Sequence, residues 1–156
     1  MAHLVTIRPA RPADIDDLTL LLKALFAIEA DFVFDEPLQR RGLQLLLDNP
    51  RTCILVAQAQ GRVVGMCTGQ LTISTAEGGP ALLVEDVVVD ADWQGRGIGS
   101  RLLKKLGLWA KDNQASRLQL LADRHNRAGL EFYKKLGWQT TELICLRKRE
   151  QSEGTA

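Results

Sequence analysis

A short glycine-rich segment is the part of this 156-residue chain whose composition most clearly suits ligand binding. Glycines stand at positions 95, 97 and 99, after an apolar run and before residues with helical spacing. Glycine lets the backbone approach a ligand closely and point several N–H groups in one direction, and the start of the following helix adds its own unpaired donors. We therefore predict that this segment holds a phosphate or pyrophosphate group. A connection that is glycine-rich only to turn tightly is the alternative.

Two common phosphate-binding motifs fit this segment poorly. A Walker A loop is excluded, because no Gly-Lys-Ser/Thr follows the glycines. A dinucleotide-binding motif would use Gly95 and Gly97, but its third glycine falls on Ser100, and Asp123 would have to act as the ribose-binding acid. The segment also comes late in a short chain, which leaves room for only one βαβ unit. A nicotinamide-dinucleotide enzyme is therefore a weak hypothesis.

The elements that must position this segment alternate between strands and helices. Apolar runs bounded by turn residues predict strands over residues 4–8, 52–59, 62–71, 81–89, 117–121 and 140–149. Helical spacing predicts helices that begin near residue 12, at residue 37, directly after the glycines and at residue 127, the last ending at a left-handed cap on Gly137. The order β-α-α-β-β-β-α-β-α-β indicates an α/β fold with a mixed sheet. We predict a single domain over residues 1–149 and a flexible tail over residues 150–156.

The charge is nearly balanced overall but is divided unevenly along the chain. Hydrophobic residues make up 46% and charged residues 25%, and the formal net charge is +1, which argues against a dedicated nucleic-acid binder. Residues 1–92 carry 7 basic and 13 acidic side chains, whereas residues 93–149 carry 13 basic and 4 acidic ones. This asymmetry predicts two regions with different binding tasks.

The cysteines and the N-terminus give no sign of metal, disulfide or membrane chemistry. Cys53, Cys67 and Cys145 are widely spaced and form no CxxC pair, so we interpret them as buried, reduced thiols and predict no metal site. The first residues lack the apolar core of a signal peptide, and no run approaches the roughly 18 apolar residues of a membrane span. We expect a cytoplasmic protein without a membrane partner.

Two separated motifs give the chain a family resemblance. The segment Gln94-x-x-Gly97-x-Gly99 resembles the acyl-CoA pyrophosphate loop of the GNAT N-acetyltransferase superfamily, and the run from Val84 to Val89 resembles that family's splayed fourth strand. Residues 126–138 are similar to its Asn-x-x-Ala-x-x-Phe-Tyr-x-x-x-Gly-Phe segment. The resemblance implies a GNAT-type acyl-CoA N-acyltransferase fold, a mixed central sheet with helices on both faces. It also implies transfer of the acetyl group of acetyl-CoA to a primary amine by direct attack in a ternary complex.

Glu85 and Tyr133 are the acid–base pair that this chemistry suggests. An alkyl ammonium has a pKa of about 10.4, so a base must remove its proton before it attacks a thioester. Glu85 lies mid-strand among apolar residues, where desolvation would raise its pKa, and Asp86 points to the opposite face if the strand alternates. We therefore prefer Glu85, with binding of the ammonium as its alternative role. Tyr133 lies where the family has its general acid and would protonate the leaving thiolate, although a core aromatic is the alternative.

The resemblance also suggests which residues bind acetyl-CoA. Pantetheine would pair with the backbone edge of Val87, Val88 and Val89, and an N–H near Val87 would stabilise the oxyanion. Asn126 would contact pantetheine through its side-chain amide, and Tyr133 would lie beside the thioester. The pyrophosphate would be held by the glycine-rich segment, which consists of Gln94, Gly95, Arg96, Gly97, Ile98, Gly99 and Ser100.

The acceptor site is expected near the first two helices, which usually shape acceptor specificity in this family. This region contains Glu29 and Phe32, and carboxylates beside aromatic rings suit a cationic amine. With Glu85 they are the predicted substrate-binding residues, although a solvated acidic face is the alternative. A small-molecule amine is the expected partner; the choice among a polyamine, an amino acid, an aminoglycoside and a protein lysine is left open, and so is a homodimer. Two alternative functions stay open. One is an acyl-CoA-binding regulatory module without turnover. The other is an amino-sugar-phosphate N-acetyltransferase, because the run from Glu85 to Val89 resembles the corresponding run in such enzymes.

Overall fold

The computed structural model describes residues 4–150. Contacts between residues divide the chain into two compact units, the first ending at Leu120 and the second beginning at Leu121. Within the described residues, the first unit contains the strands and the first three helices, and the second contains the last helix. The single domain predicted over residues 1–149 therefore stays a prediction.

The strands of the first unit form one mixed sheet in the order β1-β2-β3-β4-β5. Neighbouring strands are antiparallel, except that β4 and β5 are parallel. The strands are β1 Thr6–Pro9, β2 Thr52–Ala59, β3 Arg62–Ser74, β4 Gly79–Val89 and β5 Leu118–Leu120. The predicted α/β fold with a mixed sheet is confirmed.

Helices follow β1, β4 and β5, close to the predicted positions. They are α1 Ile15–Ile28, α2 Glu36–Leu47, α3 Ile98–Asp112 and α4 Arg127–Lys135. A short 3₁₀ turn, Pro12–Asp14, leads into α1, and a second one, Ala91–Trp93, lies between β4 and the glycine-rich segment. None of the helices formed by residues 4–150 is long and apolar enough to cross a membrane.

The β2–β3 hairpin is the centre of the sheet. Gln60 and Gly61 both have positive φ, 51° and 77°, which is the backbone of the two-residue turn that matches the twist of antiparallel strands. Residues 53–57 of β2 and 63–69 of β3 are buried in unbroken runs rather than in alternation. Strands of this kind are covered on both faces, so helices must pack on each side of the hairpin.

The two faces of the hairpin bind different helices. On one face, α1 and α2 form a core with β2 and β3 that consists of Leu18, Leu21, Leu22, Leu43, Ile54, Val56, Val63 and Met66. On the other face, Ile98 and Leu102 of α3 lie against Gly65, where an added Cβ would come within 3.3 Å of each side chain. The predicted arrangement of helices on both faces is therefore present in the first unit.

The second unit contains α4 between two local caps. The side chain of Asn126 accepts a hydrogen bond from the N–H of Gly129 at 3.0 Å, which satisfies one of the free donors of the first turn. At the other end, Gly137 has a φ of 89°, and the N–H of Trp138 donates to the carbonyl of Tyr133 at 3.0 Å. This is a Schellman cap, and it confirms the left-handed glycine predicted at position 137.

The last predicted strand is wrong. Residues 140–149 form no ladder with any described strand, and Leu143, Ile144 and Leu146 are exposed. Their aliphatic composition favours a strand, but β structure requires a paired neighbour, which composition alone does not supply. Cys145, predicted to be buried, is exposed for the same reason, whereas Cys53 and Cys67 are buried as expected. Residues 151–156 of the predicted tail lie outside the described residues.

Candidate active site

A β-bulge interrupts β4 where the two adjacent carboxylates lie. Met66 of β3 is opposite Val88, but Thr68 is opposite Glu85, so β4 has one residue more than β3 between these pairs. Asp86 lies in the bulge with a φ of 53°, a left-handed backbone that is uncommon outside glycine and is best tolerated by Asn and Asp. The bulge therefore breaks the regular alternation on which the expected orientation of Glu85 and Asp86 was based.

Asp86 is the carboxylate of this pair that the protein surrounds. It is partly buried, and the hydroxyl of Thr68, itself fully buried on β3, donates to Oδ2 of Asp86 at 3.2 Å. Burial and the neighbouring charge of Glu85 raise the pKa of Asp86 to about 6; the hydrogen bond from Thr68 acts in the opposite direction, and the charge of Glu29 adds to the increase. A carboxylate of this kind suits proton transfer near neutral pH.

Three acidic side chains, those of Glu29, Glu85 and Asp86, lie near one another at the β4 bulge. Glu85 is exposed on β4, and Glu29 caps the C-terminal end of α1, close enough for its charge to act on Asp86. Glu29 and Glu85 were predicted as substrate-binding residues, whereas Asp86 and its hydrogen-bond donor Thr68 were not. The signal for Thr68 in the sequence is a hydroxyl within the otherwise apolar run of residues 63–69.

Aromatic rings lie in the segment that follows α1. The rings of Phe26 and Phe32 are 5.9 Å apart between centroids, and Phe32 stays 42% exposed. Nζ of Lys23 lies 5.9 Å from the centroid of the Phe34 ring. Phe32, the predicted substrate-binding aromatic, therefore keeps accessible surface in the same segment as Glu29.

The far end of β4 has an open backbone edge. The ladder between β4 and β5 covers only Leu82, Leu83 and Val84, and β4 continues for five more residues without a described strand on that side. On its other side the end of β4 pairs with β3 through Val88 and Val89. A strand edge without a partner strand can accept an extended ligand that carries amide groups, and the splay expected at this end of β4 stays a prediction.

The glycine-rich segment has the backbone that its composition suggested. Gly95 and Gly97 have φ values of 73° and 74°, and Gly97 is the N-cap of α3. No side chain caps this helix end, so the first N–H groups of α3, from Ile98 to Ser100, are directed at the segment itself. Together with the positive end of the helix dipole, this arrangement suits a pyrophosphate.

Two side chains of the segment hold its shape. Nε2 of Gln94 donates to the carbonyl of Val89 at 3.0 Å and so ties the segment to the end of β4. The guanidinium of Arg96 lies 4.7 Å from the centroid of the Trp93 ring and donates to the carbonyl of Asp92. Trp93 is buried, and its importance for placing Arg96 was not predicted from the sequence.

In the second unit, Asn126 is the N-cap of α4 and Tyr133 lies within that helix. Oδ1 of Asn126 is used for the cap on Gly129, so the amide nitrogen is the part of this side chain suited to a ligand contact. Tyr133 is partly buried between Phe132 and Trp138, with edge-on ring contacts at 5.2 and 5.8 Å between centroids. Among residues 4–150, no group of three or more His, Cys, Asp or Glu side chains is arranged to hold a metal ion.

Comparison with known proteins places most of the chain within one protein family. The model of the acetyltransferase (GNAT) family matches residues 19–138. An uncharacterized N-acetyltransferase of Methanocaldococcus jannaschii is 28% identical over 89% of this chain, which spans 62% of that protein's length. The thialysine N-epsilon-acetyltransferase of Bos taurus is 31% identical over 86% of this chain and 84% of its own. The aminoglycoside N(6')-acetyltransferase type 1 of Stenotrophomonas maltophilia is 30% identical over 92% of each chain.

Solved structures agree on the fold. The crystal structure of a possible acetyltransferase from Clostridium difficile superimposes with a TM-score of 0.84, covering 96% of this chain and 99% of that one. The two sequences are 21% identical, so this likeness concerns the fold alone.

Proposed function

The chain belongs to the acetyltransferase (GNAT) family, and from that premise we propose that it transfers the acetyl group of acetyl-CoA to the primary amine of a small cationic substrate. The observation that carries the proposal is the open edge of β4 ending at a left-handed glycine segment on the uncapped N-terminus of α3. An extended amide-bearing arm joined to a pyrophosphate is the chemistry that this combination fits.

Within this proposal, the residues of the first unit hold the cosubstrate. Val87, Val88 and Val89 pair with the pantetheine amides, and the backbone of residues 94–100 holds the pyrophosphate through its N–H groups and the dipole of α3. For the second unit, the proposal keeps the sequence-based assignment of Asn126 to a pantetheine amide. Bound acetyl-CoA supplies the acetyl thioester, and no metal is required.

The proposed chemistry needs a base, an acid and an oxyanion donor. A carboxylate at the β4 bulge removes the ammonium proton, and Glu85, exposed beside the bulge, binds the ammonium and is the predicted base. The hydroxyl of Tyr133 protonates the departing thiolate, and the backbone N–H of Val87 stabilises the oxyanion. The enzyme acts through direct attack in a ternary complex.

The proposed acceptor is a small amine that carries positive charge. Glu29 and Glu85 supply negative charge beside the bulge, and Phe32 supplies accessible aromatic surface in the segment after α1. The names of two relatives support this class, because one acetylates thialysine and the other an aminoglycoside, which are both amines.

A thiol-release assay over a panel of amines tests the proposal. The panel contains diamines, lysine analogues, aminoglycosides, an amino-sugar phosphate and a lysine peptide. We expect release with cationic small amines, and a loss of roughly 100-fold in kcat for Tyr133→Phe with a far smaller change in the Kd for acetyl-CoA. Binding of CoA without release on any amine would favour a regulatory module, and release on the amino-sugar phosphate alone would replace the proposed acceptor. Turnover unchanged in Tyr133→Phe would remove Tyr133 from the acid role.

A further inference from the structure

We propose that Asp86, rather than Glu85, accepts the proton of the acceptor ammonium, and that Thr68 and Glu29 tune how readily it does so. The inference rests on the proposed function, since it names the proton acceptor of that site. It differs from the sequence-based preference for Glu85, which assumed a regular strand.

Strand pairing holds the backbone on both sides of Asp86. The ladder pairs Glu85 with Thr68 and Val88 with Met66, so β3 holds β4 on both sides of the bulge. Asp86 keeps a φ of 53° between these pairs. A non-glycine residue stays in this region only where its surroundings hold it there, and such strain concentrates at functional sites.

The charged and polar groups that face Asp86 come from three elements. Thr68 on β3 donates to Oδ2 at 3.2 Å, Glu29 approaches from the end of α1, and Glu85 is the neighbour on β4 itself. Burial and the two negative charges favour the protonated carboxyl, and the Thr68 hydroxyl favours the ionised one, so that the pKa is about 6. Asp86 is therefore mostly ionised at neutral pH yet is a stronger base than an ordinary Asp.

The exposure of the two carboxylates separates their roles. Glu85 is exposed, so water competes with any substrate for its oxygens, whereas Asp86 is partly enclosed and already fixed by Thr68. A fixed, partly desolvated oxygen is the better proton acceptor, and an exposed carboxylate is suited to attracting a cation from solvent.

The proton and electron balance of the step is simple. One N–H proton of the substrate ammonium moves to a carboxylate oxygen of Asp86, which leaves a lone pair on the neutral amine. The lone pair attacks the carbonyl carbon of the acetyl thioester, a C–N bond forms, and the C–S bond breaks as the tetrahedral adduct collapses. The second N–H proton that the nitrogen loses balances the proton gained by the thiol. Asp86 then returns its proton to water.

The pH dependence of kcat/KM tests this assignment with the best amine of the panel. We expect Asp86→Asn to lower kcat/KM by about 100-fold or more and to remove the acidic limb of the profile. Thr68→Val, which deletes the hydrogen bond that stabilises the ionised carboxylate, moves the acidic limb to higher pH. Glu29→Gln, which removes a nearby negative charge, moves it to lower pH. Thr68→Ser is the matched control, because it keeps the hydroxyl and should keep the limb near its original position.

The outcomes separate this inference from the proposed function. If no amine is acetylated by the unmodified enzyme, the proposed function fails and this inference with it. If the enzyme is active but Asp86→Asn keeps the acidic limb and Glu85→Gln removes it, Glu85 is the base and only this inference fails. Calorimetric binding of acetyl-CoA to each variant shows whether it is folded. Should Asp86→Asn not fold, the opposite shifts of Thr68→Val and Glu29→Gln still decide the question, since equal or absent shifts overturn the assignment.

Discussion

Asp86 combines two features that work against folding, a left-handed backbone and a partly buried charge. Each costs conformational or solvation free energy that an ordinary surface Asp does not. The hydrogen bond from Thr68 offsets only part of this cost, because the pKa of Asp86 is still raised. A loss of stability of this kind is the expected trade-off at an active site, as the proposed role of Asp86 requires.

The stability of Asp86→Asn should therefore exceed that of the unmodified chain at neutral pH. Asn tolerates the left-handed φ and carries no charge to desolvate, so the free energy of unfolding at pH 7.5 should rise by about 1 to 3 kcal/mol, given a carboxyl pKa raised from 3.8 to about 6. Between these two pKa values the folded chain binds more protons than the unfolded chain. The contribution of Asp86 to the free energy of unfolding is therefore most favourable below pH ~4 and is lost as the pH rises through about 6. Urea denaturation at pH 7.5 and at pH 3.5 measures both cases. An equal gain at the two pH values would contradict the assigned cause.

At the scale of the elements, Gly65 and Gly69 of β3 set the distance between the sheet and α3. A Cβ added at Gly69 would lie 3.0 Å from both Cδ atoms of Leu82 and 3.1 Å from Cδ1 of Leu106, closer than ordinary packing. The missing side chain at this position lets α3 approach the sheet, and α3 begins at the glycine-rich segment. Close packing of helix and sheet therefore also fixes where the N–H groups of the helix start are placed.

Substitution of Gly69 by Val should lower the free energy of unfolding by about 1 to 3 kcal/mol, because its side chain would overpack the contact between Leu82 and Leu106. It should also weaken acetyl-CoA binding, since a displaced α3 moves the pyrophosphate donors. Gly42→Ala is the matched control, because nothing lies within 4 Å of the added Cβ and the position is inside α2. That variant should gain about 0.5 to 1 kcal/mol and bind acetyl-CoA normally. Thermal denaturation and calorimetry measure both effects, and a neutral Gly69→Val would show that α3 can shift freely.

At the scale of the elements, the sequence predicts those features that depend on residues close together in the chain. The turn at Gln60 and Gly61, the amphipathic helices and the cap at Gly137 each follow from neighbouring residues. The bulge at Asp86 does not, because it depends on the register of β4 against β3, and the contact of Thr68 with Asp86 joins residues eighteen positions apart. The strand predicted over residues 140–149 was wrong because a ladder also requires a partner. Spacing therefore predicted the glycine-rich segment, but only the folded hairpin shows which carboxylate is enclosed.

At the scale of the whole molecule, the opposed charges of the two parts of the sequence match the two proposed ligands. Residues 1–92 have a net charge of −6 and contain Glu29, Glu85 and Asp86, whereas residues 93–149 have a net charge of +9 and begin at the glycine-rich segment. A cationic amine and an anionic cosubstrate would each be attracted by the part of the sequence that is proposed to bind it. With the two acidic residues of positions 150–156, these opposed contributions give the formal net charge of +1, so the near-zero total is not a sign that electrostatics is unimportant.

This division of charge predicts that salt weakens the binding of the cosubstrate through its phosphates. Raising KCl from 50 to 500 mM should increase the Kd of acetyl-CoA by roughly 3- to 30-fold, because the Debye length falls from about 14 to about 4 Å and screens the basic residues from the phosphates. Acetyl-pantetheine carries the same amide arm and thioester without any phosphate, so its weaker binding should change less than about 2-fold over the same range. Isothermal titration of both thioesters at each salt concentration makes the comparison. An equal salt dependence for the two would mean that the basic excess after residue 92 does not serve the cosubstrate, and the explanation of the charge asymmetry would have to be sought in another partner.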